Sequence, residues 1–384
     1  MSYSAGWREK IEGLLAARAD RDLLRELRAL EPRSPVHVST EEGELVLFSS
    51  NDYLGLSGDE RVIRGVVETV ERVGLGPRGS PLICGYSTLH HRLEQELARW
   101  KGAPSALLCP TGFAANLAVI SALADEETTI FSDELNHASI IDGCTLAKRR
   151  GAKLVVYRHG DVDDLREKLR GCSSPRKMVV TDSVFSMDGD LAPLVDLAEI
   201  CRAFGALFVV DEAHGSFVFG DQCRGLTDKL GVTDGVDVQI GTLSKGAGGM
   251  GGFIATSDKV RSVLLNLGRS YIYSTAAPLS VVGGALAALE VVRTDDGPKR
   301  RLWDRVEQLS QALGRPLHSP IVPVIMGSKE AALAAASELR RRGIEVTAIR
   351  PPTVAPGTSR LRITLSAAHR PEDIDRLAEA LDQL

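Results

Sequence analysis

The sequence predicts an α/β protein: a large domain with a mostly parallel sheet covered by helices, a smaller C-terminal α+β domain, and an N-terminal helical arm. Three observations predict it. Short apolar runs alternate with helix-spaced amphipathic stretches from about residue 100 to 270. The runs end in polar or glycine-containing turns. After Thr294-Asp-Asp-Gly-Pro298 the pattern changes to charged helices with strands of their own. Strands separated by helices imply parallel pairing with both sheet faces covered. The expected division is 1–45 for the arm, 46–293 for the large domain and 294–384 for the small one.

In chain order, residues 5–30 place Trp7, Ile11, Leu14, Leu15, Leu23, Leu24, Leu27 and Leu30 at helical spacing among arginines, predicting one long amphipathic helix. Glu44–Phe48 reads as a strand entering the polar turn Ser49–Gly55, and a helix follows from Glu60 to Val73. Helix then alternates with strand: helix 90–100, strand 106–108, helix 113–123, strand 129–131, helix 138–149 and strand 154–157. Helix 161–170, strand 178–181, helix 194–204 and strand 207–210 continue the series. Val236, Val238 and Ile240 make a strand that stops at Thr242, Ser244 and Lys245, and Gly252–Thr256 runs on as another. Helix 278–292 is almost wholly apolar or small and predicts a buried packing element. Beyond it come a charged helix to about 313, strand 321–325, helix 330–342, an extended segment 344–349, strand 361–365 and helix 371–383.

Composition narrows the function classes. The chain has 384 residues, 43% hydrophobic and 25% charged, ample for a large core. A net charge of −5 without a basic tract argues against a nucleic-acid surface. No apolar run is long enough to span a bilayer, and the charged N-terminal stretch lacks the apolar centre of a secretory signal. Six cysteines without a Cys-x-x-Cys pair suggest neither a disulfide framework nor a zinc site. A soluble cytoplasmic protein is expected, with no metal. Gly74-Leu-Gly76-Pro-Arg-Gly79 and Gly246-Ala-Gly248-Gly-Met-Gly251 spell the dinucleotide-binding pattern. The first follows a helix and the second runs into a strand, so neither is that motif.

Ligands of open parallel sheets sit beyond the carboxyl ends of the strands. Gly112, His137, Ser186, Asp211, His214, Thr242 and Lys245 all fall just past such ends. An amine there can be stripped of water, lowering its pKa and making it a usable nucleophile. Taken singly, Lys245 reads as a loop lysine, Asp211 as a helix cap or ion-pair partner, and either histidine as a packed residue. Together, a glycine turn at Thr111-Gly112-Phe113, Asp211-Glu-Ala-His214 and Thr242-Leu-Ser-Lys245 resemble the pyridoxal-phosphate enzymes of the aspartate-aminotransferase fold, fold type I.

That resemblance implies a role for each position. Lys245 would hold the cofactor's aldehyde, Asp211 its ring nitrogen and His214 its phenolic oxygen. His137 would cover the ring. Gly112 and Phe113, at a helix N-terminus, would offer N–H groups to the phosphate. Thr242, Ser186, Ser274 and Thr275 would add hydroxyls, the last two across a dimer interface. Ser274 and Thr275 can also be read as caps of helix 278–292.

Longer stretches resemble one family within that fold, the α-oxoamine synthases. They are Phe48-Ser-Ser-Asn-Asp-Tyr-Leu-Gly-Leu56, Gly85-Tyr-Ser87 with His90, Thr111–Asn116, His137-Ala-Ser139 and Val184–Asp190. Asp211–Gly215, Thr242–Lys245, Ile349–Val354 and Pro356–Thr358 complete the set. The resemblance covers nearly the whole chain and implies acyltransferase chemistry, a decarboxylative condensation of an amino acid with an acyl thioester. Family members acting on glycine or serine share the lysine, aspartate and histidines. Gly85-Tyr-Ser87 and Arg350-Pro-Pro-Thr353 favour the biotin-pathway branch, hence L-alanine with pimeloyl-CoA or a pimeloyl-acyl-carrier protein. It further implies substrate contacts at Arg25, Asn51, His137 and Thr353, and the amino-acid carboxylate at Arg362, with Arg360 on the same strand face as the other choice. A lysine-dead regulatory relative is disfavoured by Lys245 itself. A homodimer with shared active sites is expected.

Overall fold

The computed structural model describes residues 3–20, 23–25, 27–41 and 43–384. Its centre is a seven-stranded sheet formed by β1 (Ser105–Cys109), β2 (Thr128–Asp133), β3 (Lys153–Tyr157), β4 (Arg176–Asp182), β5 (Leu207–Asp211), β6 (Val238–Thr242) and β7 (Gly252–Thr256). Across the sheet the order is β1-β7-β6-β5-β4-β2-β3. Strands β3, β2, β4, β5 and β6 are parallel, whereas β7 runs antiparallel to both β6 and β1. The alternation of side chains divides the core by face. Phe131, Val179, Phe208, Val210 and Phe253 join Leu97 and Trp100 on one side. Ile130, Met178, Val180, Val209, Ile240 and Ile254 meet Val119, Ile120 and Ile140 of the opposite helices. Burial on both faces explains why these strands read as continuous apolar runs.

The antiparallel β7 follows from its connection. Residues 243–251 are too few for a helical crossover, so the chain turns back as a hairpin. This hairpin loop carries Lys245 and is folded on itself. Leu243 N–H donates to Gly251 O (3.0 Å), Gly249 N–H to Leu243 O (2.9 Å) and Gly248 N–H to Lys245 O (2.8 Å). Gly248 has φ +67°, and a Cβ there would lie 2.2 Å from Ser57 N, so the position accepts only glycine.

The C-terminal part has a three-stranded antiparallel sheet, Ile321–Gly327, Ser359–Thr364 and Thr347–Ile349, with Ser359–Thr364 in the middle. Helices Gly297–Ala312, Lys329–Arg341 and Pro371–Asp382 belong to the same part of the chain. The hairpin His37–Thr40 and Gly43–Leu47 pairs with it, since Gly43–Leu47 lies parallel to Ile344–Glu345. Phe48 N–H donates to Glu345 O (2.8 Å), and Thr364 N–H to Phe48 O (2.7 Å). The turn Ser49–Gly55 therefore leaves directly from the C-terminal strands.

One expectation needs correction. The helix predicted over 5–30 ends at Ala19, and the described residues from Leu23 to Leu30 are not helical. Residues 21, 22 and 26 lie outside the described residues. Helix Ala5–Ala19 buries none of its residues, so periodicity alone has no packing to sustain a longer helix. Leu23 N–H donates to Arg18 O (2.8 Å). Among the described residues no helix is long and apolar enough to cross a membrane, and no cluster of side chains suits a metal ion.

Candidate active site

Strands β4 and β5 end in register, Asp182 beside Asp211, and both carboxylates are buried. Asp211 Oδ2 accepts from Asn116 Nδ2 (2.6 Å) and Oδ1 from Ala213 N–H (2.8 Å). A carboxylate has about four acceptor positions, so capacity remains for a ligand. Burial and the adjacent Asp211 push Asp182 well above the ordinary carboxylate range. Asp182 Oδ2 accepts His137 N–H (2.7 Å), while Asp182 N–H donates to Asn136 Oδ1 (2.9 Å). The turn after β2 is thereby fastened to β4.

Above this floor Lys245 Nζ lies 2.7 Å from His214 Nε2, and His214 Nδ1 lies 2.5 Å from the Tyr53 hydroxyl. Burial pulls the lysine amine down to about 8, against the opposing pull of Asp211 and Asp182. Burial, with Lys245 and Arg362 nearby, holds His214 well below its ordinary value, so its ring is neutral. Burial also raises Tyr53 to about 12, which keeps its hydroxyl protonated. Lysine, imidazole and phenol thus form one line, with the imidazole and phenol buried and the lysine partly so.

Arg362 closes the opposite side. Its Nη2 donates to Asn51 Oδ1 (3.1 Å), Nη1 to Thr364 Oγ1 (3.0 Å) and Nε to the Ser186 carbonyl. Three of its five N–H groups are thus engaged, and the guanidinium also acts on the Tyr53 hydroxyl. Arg360 instead pairs with Asp188 and donates to Thr358 O (3.0 Å). The two arginines share a strand but not a site.

His137 is the N-cap of helix Ala138–Arg149, its Nδ1 2.7 Å from Ser139 Oγ, and its ring meets Phe113 edge-on at 6.5 Å. Burial lowers its pKa, while Asp211 works in the other direction. Thr111 caps helix Gly112–Leu123, accepting Ala114 N–H (3.0 Å). The N–H groups of Gly112 and Phe113 have no acceptor among the described residues. Thr242 sits against this terminus, since a Cβ on Gly112 would lie 3.4 Å from Thr242 Cβ. Thr242 Oγ1 donates to Gly251 O (2.8 Å) and contacts Ser244 Oγ (2.6 Å).

Ser274 Oγ donates to Ser270 O (2.6 Å), and Thr275 is exposed. Neither caps the following helix, Leu279–Thr294, whose N-cap is Pro278 without a side-chain bond. Arg25 and Thr353 line one pocket of about 240 Å³ together with Arg18, Leu23, Arg350 and Pro352.

Three residues that sequence reasoning did not single out complete the site: Tyr53, Asn116 and Asp182. Asn116 had a signal, lying four residues after Gly112 on the same helix face. Tyr53 lies inside the polar turn after strand Gly43–Leu47. Asp182 ends its strand as Asp211 does. The donor set fits pyridoxal phosphate: an acceptor of a ring N–H, a neutral imidazole, a low-pKa amine and a helix N-terminus for an anion. Asn116 Oδ1 is buried without a partner, while Nδ2 of the same amide donates to Asp211.

The family "Aminotransferase class I and II" matches residues 43–381. An 8-amino-7-oxononanoate synthase of Arabidopsis thaliana is 45% identical over 353 residues, covering 88% of this chain and 74% of its own. Another from Burkholderia thailandensis is 46% identical, covering 94% of this chain and 93% of its own. A solved serine palmitoyltransferase of Sphingomonas wittichii is 30% identical with a TM-score of 0.91, covering 100% and 98%.

Proposed function

The chain belongs to the class I and II aminotransferase family and within it to the 8-amino-7-oxononanoate synthases, and we propose how its side chains divide that reaction. It is a pyridoxal-phosphate-dependent acyltransferase of biotin biosynthesis. The reaction joins L-alanine to a pimeloyl thioester, releasing carbon dioxide and free thiol. Bound pyridoxal phosphate supplies the electron sink that makes the alanine α-proton removable and the later loss of carboxylate feasible.

Lys245 would hold the cofactor aldehyde, and its amine would take and return the alanine α-proton. An amine near pKa 8 is suited to both directions at neutral pH. Asp211 would accept the ring N–H of the cofactor. His214 serves the phenolic oxygen from Nε2, the nitrogen now 2.7 Å from Lys245. Tyr53 fixes the other ring nitrogen, and so the tautomer. His137 covers the ring face, held by its backbone bond to Asp182. Gly112, Phe113, Thr242 and Ser186 would receive the phosphate and phenolic edges, with Ser274 and Thr275 supplied by a second subunit.

Arg362 and Asn51 bind the alanine carboxylate. The observation that carries this assignment is the commitment of Arg360 to Asp188, while Arg362 donates to Asn51 and acts electrostatically on Lys245. Arg25 and Thr353 take the acyl donor, supported by their shared pocket. We assign that donor to either pimeloyl-CoA or pimeloyl-acyl-carrier protein, the working unit to a homodimer and the enzyme to the cytoplasm. The division 1–45, 46–293 and 294–384 stands as the proposed domain plan, with Gly43–Leu47 sharing its sheet with the C-terminal part. Thiol release from acyl thioesters of graded length, with alanine, glycine or serine, tests the reading. Release with alanine and the pimeloyl donor is expected; release only with glycine and a short donor would overturn the substrate assignment.

A further inference from the structure

The loop Ser183–Leu191 follows β4 and brings Ser186 to the site. It is a closed turn: Phe185 N–H donates to Asp190 O (3.0 Å), Gly189 N–H to Phe185 O (2.8 Å), and Val184 bridges Leu191. From one side of this loop, the Ser186 carbonyl accepts from Arg362 Nε and Asp188 pairs with Arg360. From the other, Asp190 Oδ2 lies 2.7 Å from His159 Nε2, and Phe185 meets the imidazole edge-on at 4.3 Å. His159 Nδ1 is in turn 2.9 Å from Asp133 Oδ1 at the end of β2. Asp133 is anchored by N–H groups of Leu135 and Gly160, both at 2.9 Å.

A neutral imidazole has one N–H and one lone pair, so it cannot donate to two carboxylates at once. The geometry requires an imidazolium. The two carboxylates, Asp133 foremost, raise His159 to about 10, so it carries its charge at neutral pH. Asp190 Oδ1 is shielded from solvent with no hydrogen-bond partner while the side chain as a whole is 42% exposed, and the imidazolium is the partner its Oδ2 meets. The loop is therefore pinned to the large sheet at Asp190, and what it presents four residues earlier is the carbonyl that holds Arg362.

We propose that His159 is a positioning residue for the amino-acid carboxylate site, holding the 183–191 loop through Asp190 so that the Ser186 carbonyl orients the Arg362 guanidinium. This rests on Arg362 binding the alanine carboxylate. The guanidinium is a planar fork whose bidentate grip depends on its rotation. The Ser186 carbonyl is the acceptor that fixes Nε, and a loosened loop lets the fork turn about its bonds to Thr364 and Asn51.

Two holoenzyme variants test it. Asp190→Ala removes the loop's tie to His159, leaving its bonds to Arg360 and Ser319 and the His159–Asp133 pair in place; His159→Gln removes the imidazolium. The readouts are cofactor content, the alanine dissociation constant from cofactor absorbance, and KM for both substrates. Alanine affinity should weaken about tenfold in both, as expected for a small misplacement of a binding group, with cofactor content and thioester KM unchanged. In an Arg362→Lys background the same changes should add nothing. If Arg362→Lys leaves alanine affinity intact, the carboxylate reading fails. If Arg362→Lys weakens alanine but Asp190→Ala does not, the positioning role alone fails. Parallel loss of alanine and thioester affinity in Asp190→Ala would also overturn it, as the mark of a general structural contact. Should His159→Gln not fold, Asp190→Ala decides.

Discussion

Replacing Lys245 with methionine should stabilise the cofactor-free protein at neutral pH while abolishing turnover. The folded protein brings the lysine amine from its ordinary 10.5 to about 8. At about 1.4 kcal/mol per unit this is roughly 3 kcal/mol spent on burying the ammonium form. The residue is only half-buried, so water reaching the site reduces the figure, and about 1–3 kcal/mol is expected. Methionine keeps the unbranched apolar stem and removes the charge. The sign is set by proton counting. Between about pH 8 and 10.5 the unfolded chain holds a proton on Lys245 that the folded chain has lost, so parent stability rises with pH across that window. The methionine variant lacks this rise. Urea unfolding of both cofactor-free proteins at neutral pH should therefore show a higher midpoint for the variant, and the gap should close towards the upper end of the window. Equal midpoints at neutral pH, or a gap that persists unchanged into alkali, would refute burial as the origin of the low amine pKa.

Three further outcomes are expected. Tyr53→Phe leaves His214 Nδ1 buried without its partner, at about 1–3 kcal/mol, so kcat/KM should fall roughly five- to hundredfold with the fold intact. Unchanged kinetics would remove Tyr53 from the site. Arg362→Lys should raise the alanine KM about tenfold or more, whereas Arg360→Lys, which perturbs the Asp188 pair, should raise it less; the reverse ranking would exchange their roles. Mixing inactive Lys245→Ala chains with inactive chains altered at Ser274 and Thr275 should restore activity on subunit exchange, because one site of the mixed dimer carries neither change. No recovery despite proven exchange would rule out a shared site.

The strand and helix series of the large domain was legible because each element is signalled locally. Leu207-Phe-Val-Val210 is apolar throughout since both its faces are buried, and the helices flanking it keep their own periodicity. The arm failed for the complementary reason: its spacing is helical, but helix Ala5–Ala19 buries none of its residues, so spacing alone does not set where it ends. Motif spacing likewise found Lys245, Asp211 and His214, each at a strand end, which the structure gathers. It could not find Tyr53, whose hydroxyl reaches a histidine 161 residues away. Nor could it find the carboxylate pair Asp182 and Asp211, which exists only because β4 lies beside β5 in register.

The sequence alone pointed to the chemistry through its resemblance to the pyridoxal-phosphate enzymes, carried by an amine, a carboxylate and an imidazole at strand ends, where ligands of parallel sheets bind. Which arginine faces that chemistry was not determinable there. Arg360 and Arg362 are two residues apart on the same strand face and equivalent by periodicity. Only the tertiary structure separates them, by bringing Asp188 to one and Asn51 with the Ser186 carbonyl to the other. The cause is physical: a buried guanidinium goes where its N–H groups find acceptors, and those acceptors come from segments distant in the chain.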